Sequence, residues 1–143
     1  MLTFDELKKQ VEIDIEINED NISEKSLKYS FIYHKYIEMY QRAVKELNMI
    51  KIEKDKIYGD LYHAYKFENK SGGYDLNSKT EIEVYVKRDE KYYKIALKYY
   101  NQESIVKYLE GVLQIINTMG FSIKNYIEIQ KLRMGVWFEW MMK

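Results

Sequence analysis

Cysteine and proline are both missing from this 143-residue chain. Without cysteine there is no disulfide, no thiolate zinc site, no iron–sulfur cluster and no cysteine nucleophile, and a reducing compartment is expected. Without proline, no residue removes a backbone donor from a helix interior. Histidine is nearly absent as well: His34 and His63 are the only two, with no HxxxH or carboxylate spacing that would build a metal site. Glycine numbers six, and Ser71-Gly72-Gly73 lacks the rest of a phosphate-cradling loop. No nucleophile–base pair can be named, so neither catalysis nor a cofactor is expected. Long apolar runs are also lacking, and the start, MLTFDELKKQVEIDIEIN, has no basic segment followed by an apolar one. Secretion and membrane spanning are therefore not expected, and the cytoplasm is.

What is present favours helices, because Ile, Lys, Glu and Leu are abundant and nothing forbids long runs of them. The length suits one domain with a real core. Charge is balanced in total but not in place. Residues 1–24 hold eight acids (Asp5, Glu6, Glu12, Asp14, Glu16, Glu19, Asp20, Glu24) against Lys8 and Lys9, a net −6 in a chain whose formal total is zero. An acidic arm therefore precedes a body carrying +6, which permits polyanion binding by the body. An unpaired, solvated arm is the expectation for 1–24.

Thr3 and Glu6 have capping-box spacing ahead of Phe4, Leu7 and Val11, which predicts a short helix over 4–13. Asp14 to Asn21 reads as a connector. From Ser23 to Phe67 the apolar pattern repeats every seven residues. Tyr33, Tyr40, Leu47, Lys54 and Leu61 form one series, and Tyr36, Ala43, Ile50, Ile57 and Ala64 form the other. This is a coiled-coil-like seam, in which Lys54 either fixes register or snorkels out of a bundle. Ser71-Gly72-Gly73, between Asn69 and Asn77, predicts a loop. Residues 79–87 alternate like a strand, yet Ser78 and Glu81 have capping spacing, and a short helix is the reading preferred. Asp89 predicts the cap of a long helix to Met119 with Tyr93, Leu97, Tyr100, Ser104, Tyr108, Val112, Ile115 and Met119 on one face. Gly120 predicts its stop, and Ser122 the cap of a last helix. The fold class expected is all-α: a long helix plus a helical hairpin or bundle with coiled-coil-like seams and a C-terminal oligomerising helix, in one domain over 1–143.

The run YLEGVLQIINTMGFSIKNYIEIQKLRMG, residues 108–135, resembles the C-terminal signature of the UvsY-type recombination mediators of tailed phages. Gly120, Phe121, Ile123, Lys124, Asn125, Ile127, Glu128 and Gly135 carry the resemblance. YHKYIEMY at 33–40 and KTEIEVYVKRDEKYYKI at 79–95 are similar to that family's earlier segments. The resemblance makes 25–135 the family-like body and 136–143 an apolar tail. It implies a ring-like homo-oligomer that binds single-stranded DNA. Such an oligomer helps load a RecA-like recombinase onto DNA coated by single-strand-binding protein, in the host cytoplasm if the chain is phage-encoded. The family's basic DNA-binding stretch falls on Gly59 to Tyr65, where both basic positions are lost.

Non-specific binding of single-stranded DNA needs cations for phosphates and aromatic faces for bases. Around the altered stretch, Lys54, Lys56, Lys66 and Lys70 with Tyr62 and Tyr65 supply both, and Lys87 and Arg88, beside Lys91, form a second basic cluster. The competing reading is a tyrosine-rich face packed in a core or between subunits. The tail is too apolar to remain in water, which points to an oligomer seam through Ile123, Ile127, Met134, Trp137, Trp140 and Met141, to a partner groove, or to docking on the chain's own core. A helical scaffold with protein partners only is the alternative function.

Overall fold

Thr3 opens the first helix as its spacing predicts: its hydroxyl accepts from the Glu6 N–H, and the Glu6 carboxylate accepts from the Thr3 N–H. The computed structural model describes residues 3–68, 70–73, 76 and 78–143. Among the described residues it is all-α, with four helices: α1 Phe4–Ile15, α2 Ile22–Phe67, α3 Lys79–Arg88 and α4 Glu90–Met142. α1 runs two residues further than expected. The connector narrows to 16–21, where the Asn18 side chain accepts from the N–H groups of Asp20 and Asn21, an Asx-type turn that leads into α2. The loop after α2 falls where expected, with Gly72 and Gly73 at φ 75° and 100°, a region open to glycine and strained for other residues. Asn69 and Asn77 lie outside the described residues. Residues 79–88 are helical, capped by the Ser78 hydroxyl on the Glu81 N–H.

The chain divides into two compact units, Met1–Tyr40 with Tyr108–Lys143, and Gln41–Lys107. In the first, Leu7 and Val11 of α1, Ile32 and Tyr36 of α2, and Leu109, Val112, Ile116, Met119 and Ile123 of α4 are buried. The acidic arm is therefore not a solvated tail. α1 buries its apolar face, and Asp14 accepts from Tyr36 Oη at 2.6 Å and from Lys35 Nζ at 2.9 Å. Lys25 Nζ donates to the Ile13 and Asp14 carbonyls, satisfying acceptors at the end of α1. In the second unit, Leu61, Ile82 and Val86 form a buried cluster covered by Ile57, Tyr58, Tyr62, Tyr65, Leu76 and Tyr92. Ala43, Ile50, Ile95 and Val106 are buried in that unit too. The heptad reading of α2 holds along most of its length: Tyr36, Ala43, Ile50 and Leu61 are buried, and Lys54, Ile57 and Ala64 are half-buried.

Two expectations for α4 are corrected. Gly120 does not stop it, and Ser122 caps nothing, because the helix runs unbroken from Glu90 to Met142. Gly120 serves close packing instead. A Cβ there would lie 2.5 Å from Tyr29 Oη and 2.7 Å from its Cζ, while that hydroxyl donates to the Ile116 carbonyl at 3.0 Å. The face read from the sequence is only partly the buried one: Val112 and Met119 of it are buried and Tyr108 is half-buried. Ile95, Gln102, Val106, Leu109, Ile116 and Ile123 point inward, whereas Tyr93, Leu97, Tyr100, Ser104 and Ile115 are exposed. The buried set steps three and four residues at a time from Tyr92 onward, so the helix turns a face one residue away from the one read at its start.

Candidate nucleic-acid interface

α2 and α3 bring the tyrosines of the second unit together, and most of the ring surface near the end of α2 is already in use. Leu61, in the middle of the altered stretch, belongs to the buried cluster. Tyr62 lies 6.2 Å from Tyr58 between centroids, Tyr58 packs edge-on to Tyr92 at 5.8 Å, and Tyr65 lies 5.7 Å from Tyr85. The Tyr65 hydroxyl donates to Asp89 Oδ2 at 2.9 Å, and burial together with that carboxylate pushes its pKa up to about 12. Tyr62 and Tyr65 are thus half-buried members of a packed aromatic face.

The cations divide into two groups. Lys54, on the seam, is half-buried with its ammonium 4.5 Å from the Tyr99 ring centre, a cation–π contact that accounts for a charge at that position. Lys66 sits 5.1 Å from the Phe67 ring and 6.0 Å from Tyr62. Lys70 lies 5.7 Å from the Tyr65 ring and 3.4 Å from Asp89 Oδ2. By contrast Lys56, Lys87 and Arg88 are exposed and make no ion pair among the described residues. Asp60 and Glu68 line, with Lys70 and Lys91, a groove of about 520 Å³ that also takes in Ile57, Leu61 and Ala64. Two acids and two cations leave that groove without the net positive charge a phosphate chain prefers.

Asp89 ties this region to α4. Its backbone N–H closes α3 on the Tyr85 and Val86 carbonyls, and its Oδ1 accepts from the Lys91 N–H at 2.9 Å as the cap of α4. Burial acts to raise its pKa, but the Lys91 N–H, the Tyr65 hydroxyl and Lys70 outweigh it and hold the carboxyl below its ordinary value.

Of the six residues assigned to a seam, Ile123 is 6 % exposed, covered within its own unit. Ile127, Met134, Trp137, Trp140 and Met141 are exposed, Trp140 at 75 %, on a helix that continues past that core. The tail therefore does not dock on its own chain. Ile129, Leu132, Arg133, Val136, Trp137 and Trp140 border an open hollow of about 510 Å³. The row Tyr93, Leu97 and Tyr100, grouped by the sequence with Val112 and Met119 on one face, is exposed. The buried alternative, Tyr92, Ile95 and Tyr99, was visible as an equally regular series. Among the described residues no helix is long and apolar enough to cross a membrane, and no three His, Asp or Glu residues could hold a metal ion.

The family model described as "Recombination, repair and ssDNA binding protein UvsY" matches residues 6–136. Among solved structures, the chain is similar to the bacteriophage T4 recombination mediator protein UvsY. In one lattice the TM-score is 0.80 at 15% identity, covering 92% of this chain and 99% of that one. In another it is 0.76 at 15% identity, covering 93% and 98%, and in a third 0.75 at 17%, covering 89% and 98%. At such identities these likenesses speak for the fold. No curated protein matches the chain. The family description names recombination, repair and single-stranded-DNA binding. The family match, running from α1 almost to the end of α4, places this chain in the UvsY family of recombination, repair and single-stranded-DNA-binding proteins.

Proposed function

We propose that this protein is a recombination mediator. As a homo-oligomer it binds single-stranded DNA without sequence preference and promotes loading of a RecA-like recombinase onto strands coated by single-strand-binding protein, in the cytoplasm of a phage host. The family match over residues 6–136 carries this reading. The exposed apolar face from Ile127 to Met142 supports the oligomer, since that much apolar surface on one helix is what a subunit seam requires. Assembly would also repeat a weak DNA site around one particle and raise its avidity for a single strand.

The decisive measurement is a titration of a fluorescent single-stranded oligonucleotide at rising salt. Binding should be tight at low salt and fall steeply, because phosphate contacts release counterions. Recombinase assembly on coated strands should then be faster with the protein than without it. A scaffold with protein partners only is favoured by one observation: Lys54, Lys66 and Lys70 already sit on rings of their own chain. No binding at any salt concentration would decide for that scaffold.

A further inference from the structure

We infer that neighbouring copies of this chain pack side by side in a head-to-tail ring, with Met49, Ile52 and Lys56 on the back of α2 meeting Tyr100, Leu97 and Tyr93 on the back of α4 in the next copy. This contact rests on the homo-oligomer reading above and is separate from the apolar end of α4. Within the second unit, α2 and α4 form an antiparallel pair. Gln102 donates to the Ala43 carbonyl, the Lys54 ammonium lies over Tyr99, and Tyr58 packs on Tyr92. At about 100° per residue, Met49, Ile52 and Lys56 share one face of α2, about 140° from the buried Ala43, Ile50 and Leu61. Tyr93, Leu97 and Tyr100 likewise share one face of α4, about 170° from the buried Ile95, Gln102 and Val106. The helix pair therefore turns one row outward on each of its two sides. Met49, Ile52, Tyr93, Leu97 and Tyr100 are each between 47 % and 71 % exposed, which is apolar surface that a partner would cover.

The two rows fit each other. At the register set by Ala43 with Gln102, Lys54 with Tyr99 and Tyr58 with Tyr92, the row Met49, Ile52, Lys56 stands level with Tyr100, Leu97, Tyr93. The first row ascends by three and then four residues, and the second descends by three and then four. A copy displaced sideways, with no shift along the helices, thus sets a thioether on a ring, one branched aliphatic on another, and an ammonium on a ring. The chain already uses the last pairing inside its own helix pair, where Lys54 of α2 lies 4.5 Å from the Tyr99 ring of α4. Equal height has a consequence for assembly. A repeated contact between unlike faces grows a filament unless it closes, and about an axis along the helices it closes only without rise. Charge favours a second copy over a nucleic acid on the α4 row. Lys94 and Lys98 point about 90° and 130° away from the three side chains, so that face is neutral where a phosphate chain would need cations.

The chain has no cysteine, so introduced thiols report this contact without background. The test oxidises the full-length Ile52→Cys with Leu97→Cys variant and resolves it on a non-reducing denaturing gel. The two thiols of one chain lie on opposite sides of the helix pair, out of reach of the Cα separation of about 4–7 Å that a disulfide requires. A ladder of covalent multimers beyond the dimer is expected, whereas either single-cysteine variant stops at the dimer. Monomers and dimers alone from the double variant overturn the pairing of these faces. In sedimentation velocity, Leu97→Glu should give smaller species than the parent, with helicity unchanged in circular dichroism because the position is exposed. If Leu97→Glu assembles as the parent does while Trp137→Ser with Trp140→Ser does not, this contact falls and the oligomer reading stands. A parent that is monomeric at every concentration overturns both.

Discussion

Asp89 ends α3 through its backbone N–H, while its carboxylate caps α4 and accepts from a tyrosine, so three stabilising roles meet in one residue. Replacing it with Ala removes the α4 cap and the partner of the Tyr65 hydroxyl, and should cost about 2 kcal/mol in denaturant unfolding. The Tyr65 side of the bond has a pH signature. Its pKa rises from 10.0 to about 12 in the folded chain, so the neutral phenol contributes stability fully below pH 10, and that contribution is lost as pH climbs through 12. Melts at several alkaline pH values should fall more steeply for the parent than for Tyr65→Phe, and parallel curves would remove the bond from the account. Gly120 supplies a second test. Gly120→Ala should destabilise by about 1–3 kcal/mol through collision with Tyr29. In a Tyr29→Ala background the same change should be neutral or stabilising, since alanine is the better helix former by up to about 1 kcal/mol. Additive effects in that double-mutant cycle would mean the ring yields freely.

At the level of elements, α2 was legible because two seven-residue series run in step along it and few other phases compete. α4 was not, for a reason visible in its residues. Tyr92-Tyr93 and Tyr99-Tyr100 put a tyrosine in both possible phases, and the buried phase carries Gln102, which reads as polar. Gln102 is tolerated inside because its Nε2 donates to the Ala43 carbonyl at 3.0 Å, and a satisfied amide costs little to bury. Gly120 misled in the same way, since a glycine before an apolar residue signals a helix end, and only the approach of Tyr29 shows its other use. The end of α4 leads to a sharper expectation. Trp137→Ser with Trp140→Ser should convert the proposed oligomer to smaller species in sedimentation velocity while leaving helicity nearly unchanged. An unaltered sedimentation coefficient would move the seam elsewhere.

For the whole molecule, the proposed assembly links folding to concentration. An oligomer whose apolar helices cover one another gains stability by mass action, so the melting temperature of the parent should rise with protein concentration, while that of the double-Trp variant should not. A concentration-independent melt of the parent would argue against a seam that matters to folding. The all-helical class and the glycine break after α2 were within reach of the sequence, because each depends on local chemistry: missing Pro, caps such as Thr3 and Ser78, and a strict repeat in α2; family membership was within reach through the resemblance carried by residues 108–135. The candidate site was legible only as an inventory of residue types. Which lysines and tyrosines are open to a ligand depends on contacts between residues far apart in the chain, as with Lys54 on Tyr99 and Tyr65 on Asp89. The packing of α1 against its unit, with Asp14 held by Lys35 and Tyr36, likewise turned an acidic stretch that composition would leave in solvent into part of a core. The sequence alone thus determined what is helical. The tertiary structure decided which face of each helix is spent on packing and which remains for a partner, because burial is a property of neighbours and not of residues.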